Sequence, residues 1–116
     1  MVRRILYVDD SPLARAAASR LLCARGFDVV VAGSAAEARA IDPLALRGAL
    51  LDLEVGEESG TSIAEALRAA RPELPVAFLT AAAEVAHLER ARGIGPVFSK
   101  ATETDRAVAW LSGLPA

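Results

Sequence analysis

The stretch Gly48-Ala49-Leu50-Leu51-Asp52-Leu53 decides the fold that the sequence predicts. Apart from its one carboxylate it is apolar or small, which is typical of a strand buried on both faces of a parallel sheet covered by helices. Because an unpaired ionised carboxylate is costly inside an apolar core, Asp52 is expected where the strand ends. In open α/β sheets this carboxyl edge is where ligands bind. The alternative for Asp52 taken alone is a solvated residue that begins a loop.

Length and composition limit the class of protein. The chain has 116 residues, of which 53 % are hydrophobic, and a net charge of −2, which predicts one domain with a hydrophobic core over residues 1–116. The weakly acidic balance argues against direct binding to nucleic acid or to an anionic membrane. Cys23 is the single cysteine, which excludes an internal disulfide and a cysteine-based zinc site. Asp9 and Asp10 interrupt the first apolar run, so we expect no signal peptide or membrane span and a cytoplasmic location.

Apolar stretches alternate with segments of helical periodicity along the whole chain. Five strands are predicted, at Arg3–Val8, Phe27–Ala32, Leu46–Leu53, Val76–Leu79 and Val97–Phe98. Between and after them, apolar residues at helical spacing predict five helices. Short crossovers of this kind require a parallel sheet with right-handed connections and helices on both faces. The predicted fold is therefore α/β, a doubly wound (βα)5 sheet of five parallel strands.

Capping residues mark where these helices begin. The candidates are Asp10 or Ser11, Ser34 with Glu37, Thr61 or Ser62, and Thr102 with Asp105. The second helix is expected to run to about Ile41, where Pro43 breaks it, and the fourth to span Ala81–Arg92. A polar, glycine-containing loop is expected between Glu54 and Ser59. His87, the one histidine, is interpreted as a solvated residue in the middle of a helix.

Polar residues follow the ends of four of the five predicted strands. They are Asp9 and Asp10, Asp52, Thr80 and Lys100. Because the carboxyl ends of parallel strands meet at one edge, these side chains are expected to converge. Three close carboxylates repel one another, and a hard divalent cation such as Mg²⁺ relieves that repulsion. A hydroxyl and an ammonium stabilise phosphoryl oxygens, and a carboxylate can become an aspartyl phosphate.

The joint pattern resembles the response-regulator receiver domain of two-component systems over the whole chain. The matching motifs are Tyr7-Val8-Asp9-Asp10-Ser11, Leu51-Asp52, Gly60, Leu79-Thr80-Ala81 and Ser99-Lys100. The resemblance implies the flavodoxin-like strand order 2-1-3-4-5 and a stand-alone receiver with no output domain. It also implies a phosphorelay in which a sensor histidine kinase or a phosphotransfer protein supplies the phosphoryl group.

The resemblance implies a role for each site residue. Asp52 is the expected phosphoacceptor, and Thr80 and Lys100 are expected to bind phosphoryl oxygens. The resemblance assigns Mg²⁺ to the carboxylates of Asp10 and Asp52, to Asp9 through water, and to the backbone carbonyl of Glu54. It further implies that the domain catalyses its own Mg²⁺-dependent phosphorylation and its dephosphorylation by water.

Several positions depart from the family pattern. Ala101 stands where a proline usually follows the lysine through a cis bond, and a trans Lys100–Ala101 bond is predicted because cis bonds to other residues are costly. Val97 occupies the position of the usual switch aromatic, while Phe98 is expected on the opposite face of its strand. Gly56 replaces a common proline. The added carboxylate of Glu54 either tightens metal binding, repels the phosphoryl group or is merely solvated.

Surfaces for partners are also implied. The resemblance places signalling to a downstream effector on the surface of helix 4, strand 5 and helix 5, with Val97, Phe98 and Trp110 as candidates. The alternative for Trp110 is packing against the core beside Leu111. The exposed face of the first helix, with Leu13, Ala16 and Arg20, is the candidate for kinase docking. The protein is expected to be a monomer or a phosphorylation-dependent dimer.

Two other functions remain open from the sequence. One is a receiver-like docking module that binds its partner without phosphorylation, which the missing proline and the displaced aromatic favour. The other is a hydrolase with an aspartate nucleophile. Such a hydrolase needs a second acid, commonly an aspartate two residues after the nucleophile. Glu54 lies at that spacing after Asp52 but has a longer side chain, and no room for a substrate cap is expected.

Overall fold

Five strands form one parallel sheet in this computed structural model, which describes residues 4–81 and 85–115. They are β1 (Arg4–Val8), β2 (Asp28–Ala32), β3 (Gly48–Asp52), β6 (Val76–Thr80) and β7 (Val97–Ser99). The sheet order is β2-β1-β3-β6-β7. Two further strands, β4 (Glu54–Val55) and β5 (Glu58–Ser59), form a separate antiparallel hairpin. Without that hairpin, the order is the predicted 2-1-3-4-5, so the predicted fold is confirmed.

Helices cover both faces of the sheet. They are α1 (Pro12–Ala24), α2 (Ala35–Arg39), α3 (Gly60–Ala70), α4 (Val85–Arg92) and α5 (Thr104–Ser112), with a short 3-10 turn at Pro43–Ala45. None of the helices within the described ranges has the length and hydropathy that crossing a bilayer requires.

Strand β3 is buried along its whole length, as the opening stretch predicts. Its side chains alternate between two cores, since neighbouring residues of a strand point to opposite faces. The α1/α5 core consists of Ile5, Tyr7, Leu22, Phe27, Leu50, Ala77, Leu79, Phe98, Ala107, Val108 and Leu111. The α2–α4 core lies on the other face and includes Leu51, Ile63, Leu67, Phe78 and Ala91. This alternation fixes which side chains meet at the end of each strand.

Two of the predicted helix caps are confirmed. The Oγ of Ser11 accepts the Ala14 N–H at the start of α1, at 3.2 Å. The Oγ of Ser34 accepts the Glu37 N–H at the start of α2, at 3.1 Å. The Glu37 carboxylate, however, accepts the N–H of Gly33 and not that of Ser34.

The other two caps were predicted at the wrong residues. Helix α3 begins one residue after Ser59, whose Oγ accepts the Thr61 N–H, so neither Thr61 nor Ser62 is the cap. The helix can begin with Gly60 because its N–H bonds the Leu53 carbonyl, 2.8 Å away.

At α5 the predicted Thr102–Asp105 capping box does not form. The cap residue is Glu103, which makes no side-chain capping bond to the helix. Its carboxylate instead accepts the Ser99 N–H at 3.0 Å and so ties the start of α5 to the end of β7.

Element bounds differ from the prediction at several places. Helix α2 ends at Arg39, before Ile41, because Asp42 caps the following 3-10 turn. The expected loop between Glu54 and Ser59 contains the β4–β5 hairpin, with Gly56 at its tip at φ +60°. Within the predicted Ala81–Arg92 helix, residues 82–84 lie outside the described residues, as do Arg3 and Ala116 at the ends. No cis peptide bond occurs among the described residues, so the trans Lys100–Ala101 bond is confirmed.

Candidate functional site

The predicted polar residues meet at the carboxyl edge of the sheet. Carboxylate oxygens of Asp9, Asp10 and Asp52 all lie within 4.8 Å of one another. Asp10 and Asp52 line an open cleft of about 210 Å³, together with Thr80 and Lys100. Strand pairing explains the convergence, because β1, β3, β6 and β7 are in parallel register and end together.

Asp52 ends β3 and is 8 % exposed. One carboxylate oxygen accepts the Glu54 N–H at 3.2 Å, and the other accepts the Lys100 ammonium at 2.9 Å. Burial raises the pKa of Asp52 above its ordinary value, although both hydrogen bonds oppose the rise. Ionisation of Asp52 therefore lowers the stability of the folded protein.

Asp9 directly follows β1 and is 1 % exposed. Its Oδ2 accepts both the Tyr7 hydroxyl, at 2.9 Å, and the Lys100 ammonium, at 2.6 Å. Its Oδ1 accepts the Ser11 N–H at 3.0 Å. Burial alone would raise the pKa of Asp9, but the hydrogen bonds from Lys100, Ser11 and Tyr7 together lower it. The folded protein therefore stabilises the charge on Asp9.

Lys100 bridges the two buried carboxylates. Its side chain is partly exposed and lies between Asp9 and Asp52. Burial would lower the pKa of Lys100, but the bonds to Asp9 and Asp52 outweigh burial and raise it. Lys100 therefore carries the positive charge that keeps two close carboxylates together.

Asp10 and Glu54 lie at the exposed rim of the site. The Oδ2 of Asp10 accepts the Gly56 N–H at 3.1 Å, which joins the end of β1 to the tip of the β4–β5 hairpin. Glu54 is exposed and lines the same cleft as Asp10. Thr80 is half-buried at the end of β6 and lines the same cleft. The structure therefore brings together every residue of the predicted metal and phosphoryl site.

The predicted partner residues lie outside this cleft. Val97 and Phe98 point to opposite faces of β7, as predicted, because Val97 packs against the α2–α4 core and Phe98 is buried in the α1/α5 core. Trp110 is half-buried and packs against the α1/α5 core, which agrees with the packing alternative. Leu13 is 84 % exposed and Arg20 is also exposed on α1.

His87 and Cys23, which have no predicted role in the site, differ in their exposure. His87 is half-buried, so its interpretation as a solvated residue is wrong, and it lines a cleft with the β4–β5 hairpin. Cys23 is exposed on α1 as a free thiol.

Sequence reasoning missed two contacts to Asp9. Tyr7 belongs to a predicted apolar strand and to a motif of the family resemblance, and no contact to Asp9 was predicted for it, although strand alternation places residues 7 and 9 on the same face. Arg15 was not considered, yet its Nη1 donates to the Asp9 backbone carbonyl at 2.8 Å. Arg15 lies over Gly33, where a Cβ atom would stand 2.6 Å from Nη1. No sequence pattern links residue 15 to residue 33, so that contact had no local signal.

Comparison with known proteins gives a consistent family. A family model described as the response regulator receiver domain matches residues 5–109. No curated protein sequence matches the chain significantly.

Solved structures share the fold at low identity. The chemotaxis protein CheY4 of Vibrio cholerae has a TM-score of 0.85 at 20 % identity, with 99 % of this chain and 100 % of that chain covered. The non-phosphorylated HemR receiver domain of Leptospira biflexa has a TM-score of 0.85 at 25 % identity, with 97 % and 96 % covered. The beryllofluoride-activated NtrC4 receiver domain dimer has a TM-score of 0.83 at 21 % identity, with 96 % and 94 % covered.

Proposed function

Because the chain belongs to the response regulator receiver domain family, we propose that it accepts a phosphoryl group on Asp52 in a two-component phosphorelay. The donor in this proposal is a phosphohistidine of a sensor histidine kinase or of a phosphotransfer protein. The observation that carries the proposal is the Lys100 ammonium, 2.6 Å from Asp9 and 2.9 Å from Asp52 at the open carboxyl edge of the sheet.

The donor set at this edge fits Mg²⁺. Carboxylate oxygens of Asp9, Asp10 and Asp52 lie within 4.8 Å of one another, and Asp10 and Asp52 line the open cleft. Oxygen ligands are those that Mg²⁺ prefers. Asp10, Asp52 and the backbone carbonyl of Glu54 would hold the ion directly, and Asp9 would hold it through water. When bound, Mg²⁺ supplies positive charge that offsets the charge of the carboxylates and of the transferred phosphoryl group.

The residues divide the chemistry between them. A carboxylate oxygen of Asp52 attacks phosphorus, the bond from phosphorus to the histidine nitrogen breaks, and the nitrogen keeps the electron pair. Lys100 leaves Asp52 and pairs with a phosphoryl oxygen, while the Thr80 hydroxyl donates to another. Attack by water on the same phosphorus later returns Asp52 to its carboxylate form.

Partner surfaces form the second part of the proposal. Effector docking is assigned to the surface of α4, β7 and α5. Val97 and Trp110 are half-buried and retain exposed area, whereas Phe98 of β7 is buried in the α1/α5 core. Kinase docking is assigned to Leu13 and Arg20, both exposed on α1. We further propose a cytoplasmic protein, monomeric or dimerising on phosphorylation.

A docking module that needs no phosphorylation is the second candidate. It is favoured by Val97, which places an aliphatic side chain against the α2–α4 core where an aromatic switch residue is usual in the family. The complete set of polar residues at the cleft favours phosphorylation instead.

Intact mass spectrometry separates the two candidates. The protein is incubated with acetyl phosphate and Mg²⁺, and wild type is compared with Asp52→Asn. One added phosphoryl group in wild type and none in Asp52→Asn is the expected result. Glu57→Gln, which alters an exposed carboxylate on the hairpin, is the matched control and should be phosphorylated like wild type. No added mass in wild type, together with no binding of beryllium fluoride, would contradict the phosphorylation proposal and favour the docking module.

A further inference from the structure

Tyr7 makes a buried hydrogen bond that the proposed chemistry does not use. The side chain is 3 % exposed within the α1/α5 core, and its hydroxyl lies 2.9 Å from Asp9 Oδ2. Burial and the nearby Asp9 charge raise the pKa of Tyr7, so the hydroxyl keeps its proton and acts as the donor. A charged acceptor makes this bond stronger than one between neutral groups.

Packing alone does not require a hydroxyl at this position. Phenylalanine would fill the same volume, and burying a hydroxyl costs free energy unless it is paired. One side of the Tyr7 ring borders a cleft of about 240 Å³ between α1 and α5, whose walls include Ala14, Ala18 and Ala107. These small side chains leave space beside the ring, so the bond to Asp9 helps to fix the ring as well as the carboxylate.

The other donor to the same oxygen is shared. Lys100 bonds Asp9 Oδ2 and Asp52 Oδ2 together, and in the proposed reaction it moves to a phosphoryl oxygen. Tyr7 is then the side-chain donor that keeps Asp9 Oδ2 in place, while the Ser11 N–H holds Oδ1. Tyr7 belongs to β1 itself, so its position does not depend on the movement of Lys100.

We propose that Tyr7 is a positioning residue that holds Asp9 in its metal-binding orientation. This inference deepens the proposed function, because the Mg²⁺ site is part of it. Hydrogen-bond partners of metal ligands typically change metal affinity by about 10- to 100-fold when removed. Since Asp9 is expected to bind through water, an effect at the lower end of that range is expected for Tyr7.

Calorimetric titration with Mg²⁺, without any phosphodonor, tests the inference directly. Tyr7→Phe keeps the ring and should raise the Mg²⁺ dissociation constant roughly tenfold. Val108→Ala is the matched control, because Val108 lines the same cleft but lies on α5 and forms no part of the proposed metal site. It should lower the urea unfolding midpoint and leave Mg²⁺ affinity unchanged. Equal affinities of Tyr7→Phe and wild type would overturn the inference.

A metal-free experiment tests whether Tyr7 acts through Asp9. Urea unfolding with a chelator present is measured for wild type, Tyr7→Phe, Asp9→Ala and the double variant. Tyr7→Phe should lower the midpoint in wild type, and in the Asp9→Ala background it should leave the midpoint unchanged or raise it, because the buried hydroxyl has lost its acceptor there. An equal loss in both backgrounds would assign Tyr7 a packing role only and overturn the inference. If Asp9→Ala does not fold, the titration of Tyr7→Phe still decides.

The outcomes separate this inference from the proposed function. Wild type that binds Mg²⁺ but gains no phosphoryl mass would overturn the phosphorylation proposal and leave the role of Tyr7 standing, because neither experiment here uses a phosphodonor. Wild type that does not bind Mg²⁺ at all would overturn both.

Discussion

The carboxyl ends of β1 and β3 hold buried carboxylates in different ways. Asp9 at the end of β1 accepts three hydrogen bonds from Tyr7, Ser11 and Lys100, and its pKa is lowered. Asp52 at the end of β3 accepts two, from Glu54 and the shared Lys100, and its pKa is raised. Both carboxylates are buried and have the same cation as a neighbour, but Asp9 has two further donors, Tyr7 and Ser11, where Asp52 has one, Glu54.

This difference distinguishes a structural carboxylate, Asp9, from a reactive one, Asp52. A carboxylate whose charge the fold stabilises is suited to orienting other groups, as proposed for Asp9. A carboxylate whose charge is costly gains most from a positive charge beside it, such as a metal ion, as proposed for Asp52. The predictions below test this contrast.

Neutralising the two carboxylates should change stability in opposite directions. Asp9→Asn weakens three charge-assisted hydrogen bonds and should lower the free energy of unfolding by about 2 kcal/mol. Asp52→Asn removes a charge that the fold disfavours, and its free energy of unfolding should equal or exceed that of wild type. Urea unfolding without metal measures both. Glu57→Gln is the control and should stay within about 0.5 kcal/mol of wild type. A loss in Asp52→Asn as large as in Asp9→Asn would remove the contrast.

The pH dependence of stability in wild type should show the same contrast between Asp9 and Asp52. Because the folded-state pKa of Asp52 is raised, its protonation adds stability as the pH falls through that pKa toward the ordinary value of 3.8. Because the folded-state pKa of Asp9 is lowered, its contribution is present above the ordinary value of 3.8 and is lost as the pH falls through the folded pKa. Urea midpoints from pH 7 to pH 3 measure the sum.

Variants assign each part of this pH profile to its residue. Relative to wild type, Asp52→Asn should lack the rise in urea midpoint that occurs as the pH falls toward 3.8. Asp9→Asn should show a smaller fall in urea midpoint than wild type below pH 3.8. Parallel profiles for all three proteins would show that neither carboxylate has the pKa direction described.

A smaller loss of stability is expected when the hydrogen bond from Arg15 to the Asp9 backbone carbonyl is broken. In Gly33→Ala the new Cβ would stand 2.6 Å from Arg15 Nη1, so the flexible guanidinium must move away from the Asp9 carbonyl. Loss of that bond should lower the free energy of unfolding by about 1 kcal/mol. In an Arg15→Ala background, Gly33→Ala should have no further cost. A cost that persists there would place the strain in the β2–α2 turn itself.

The sequence was sufficient to predict the sheet, its order and the five converging polar residues. Strand β3 shows why, since its apolar run and its terminal Asp52 both follow from burial on two faces. Val97 and Phe98 were assigned to the correct faces because strand alternation is a local rule.

Features that depend on distant contacts could not be predicted in this way. Ser59, Thr61 and Ser62 all carry hydroxyls, and the cap was decided by how Gly60 packs against the end of β3. The bond from Tyr7 to Asp9 needed both to lie on the same face beside Lys100, 91 residues further along the chain from Asp9. Such contacts arise from the assembled sheet rather than from any stretch of sequence.

Gly60 occupies a position at which the fold tolerates no other amino acid. A Cβ atom at this position would collide with the backbone carbonyl of Asp52, and backbone cannot swing aside as a flexible side chain can. Gly56, at the tip of the neighbouring hairpin, has open space around it and is restricted only by its φ of +60°. A library of substitutions should therefore retain glycine alone at position 60, whereas asparagine, which tolerates the left-handed conformation, should survive at position 56.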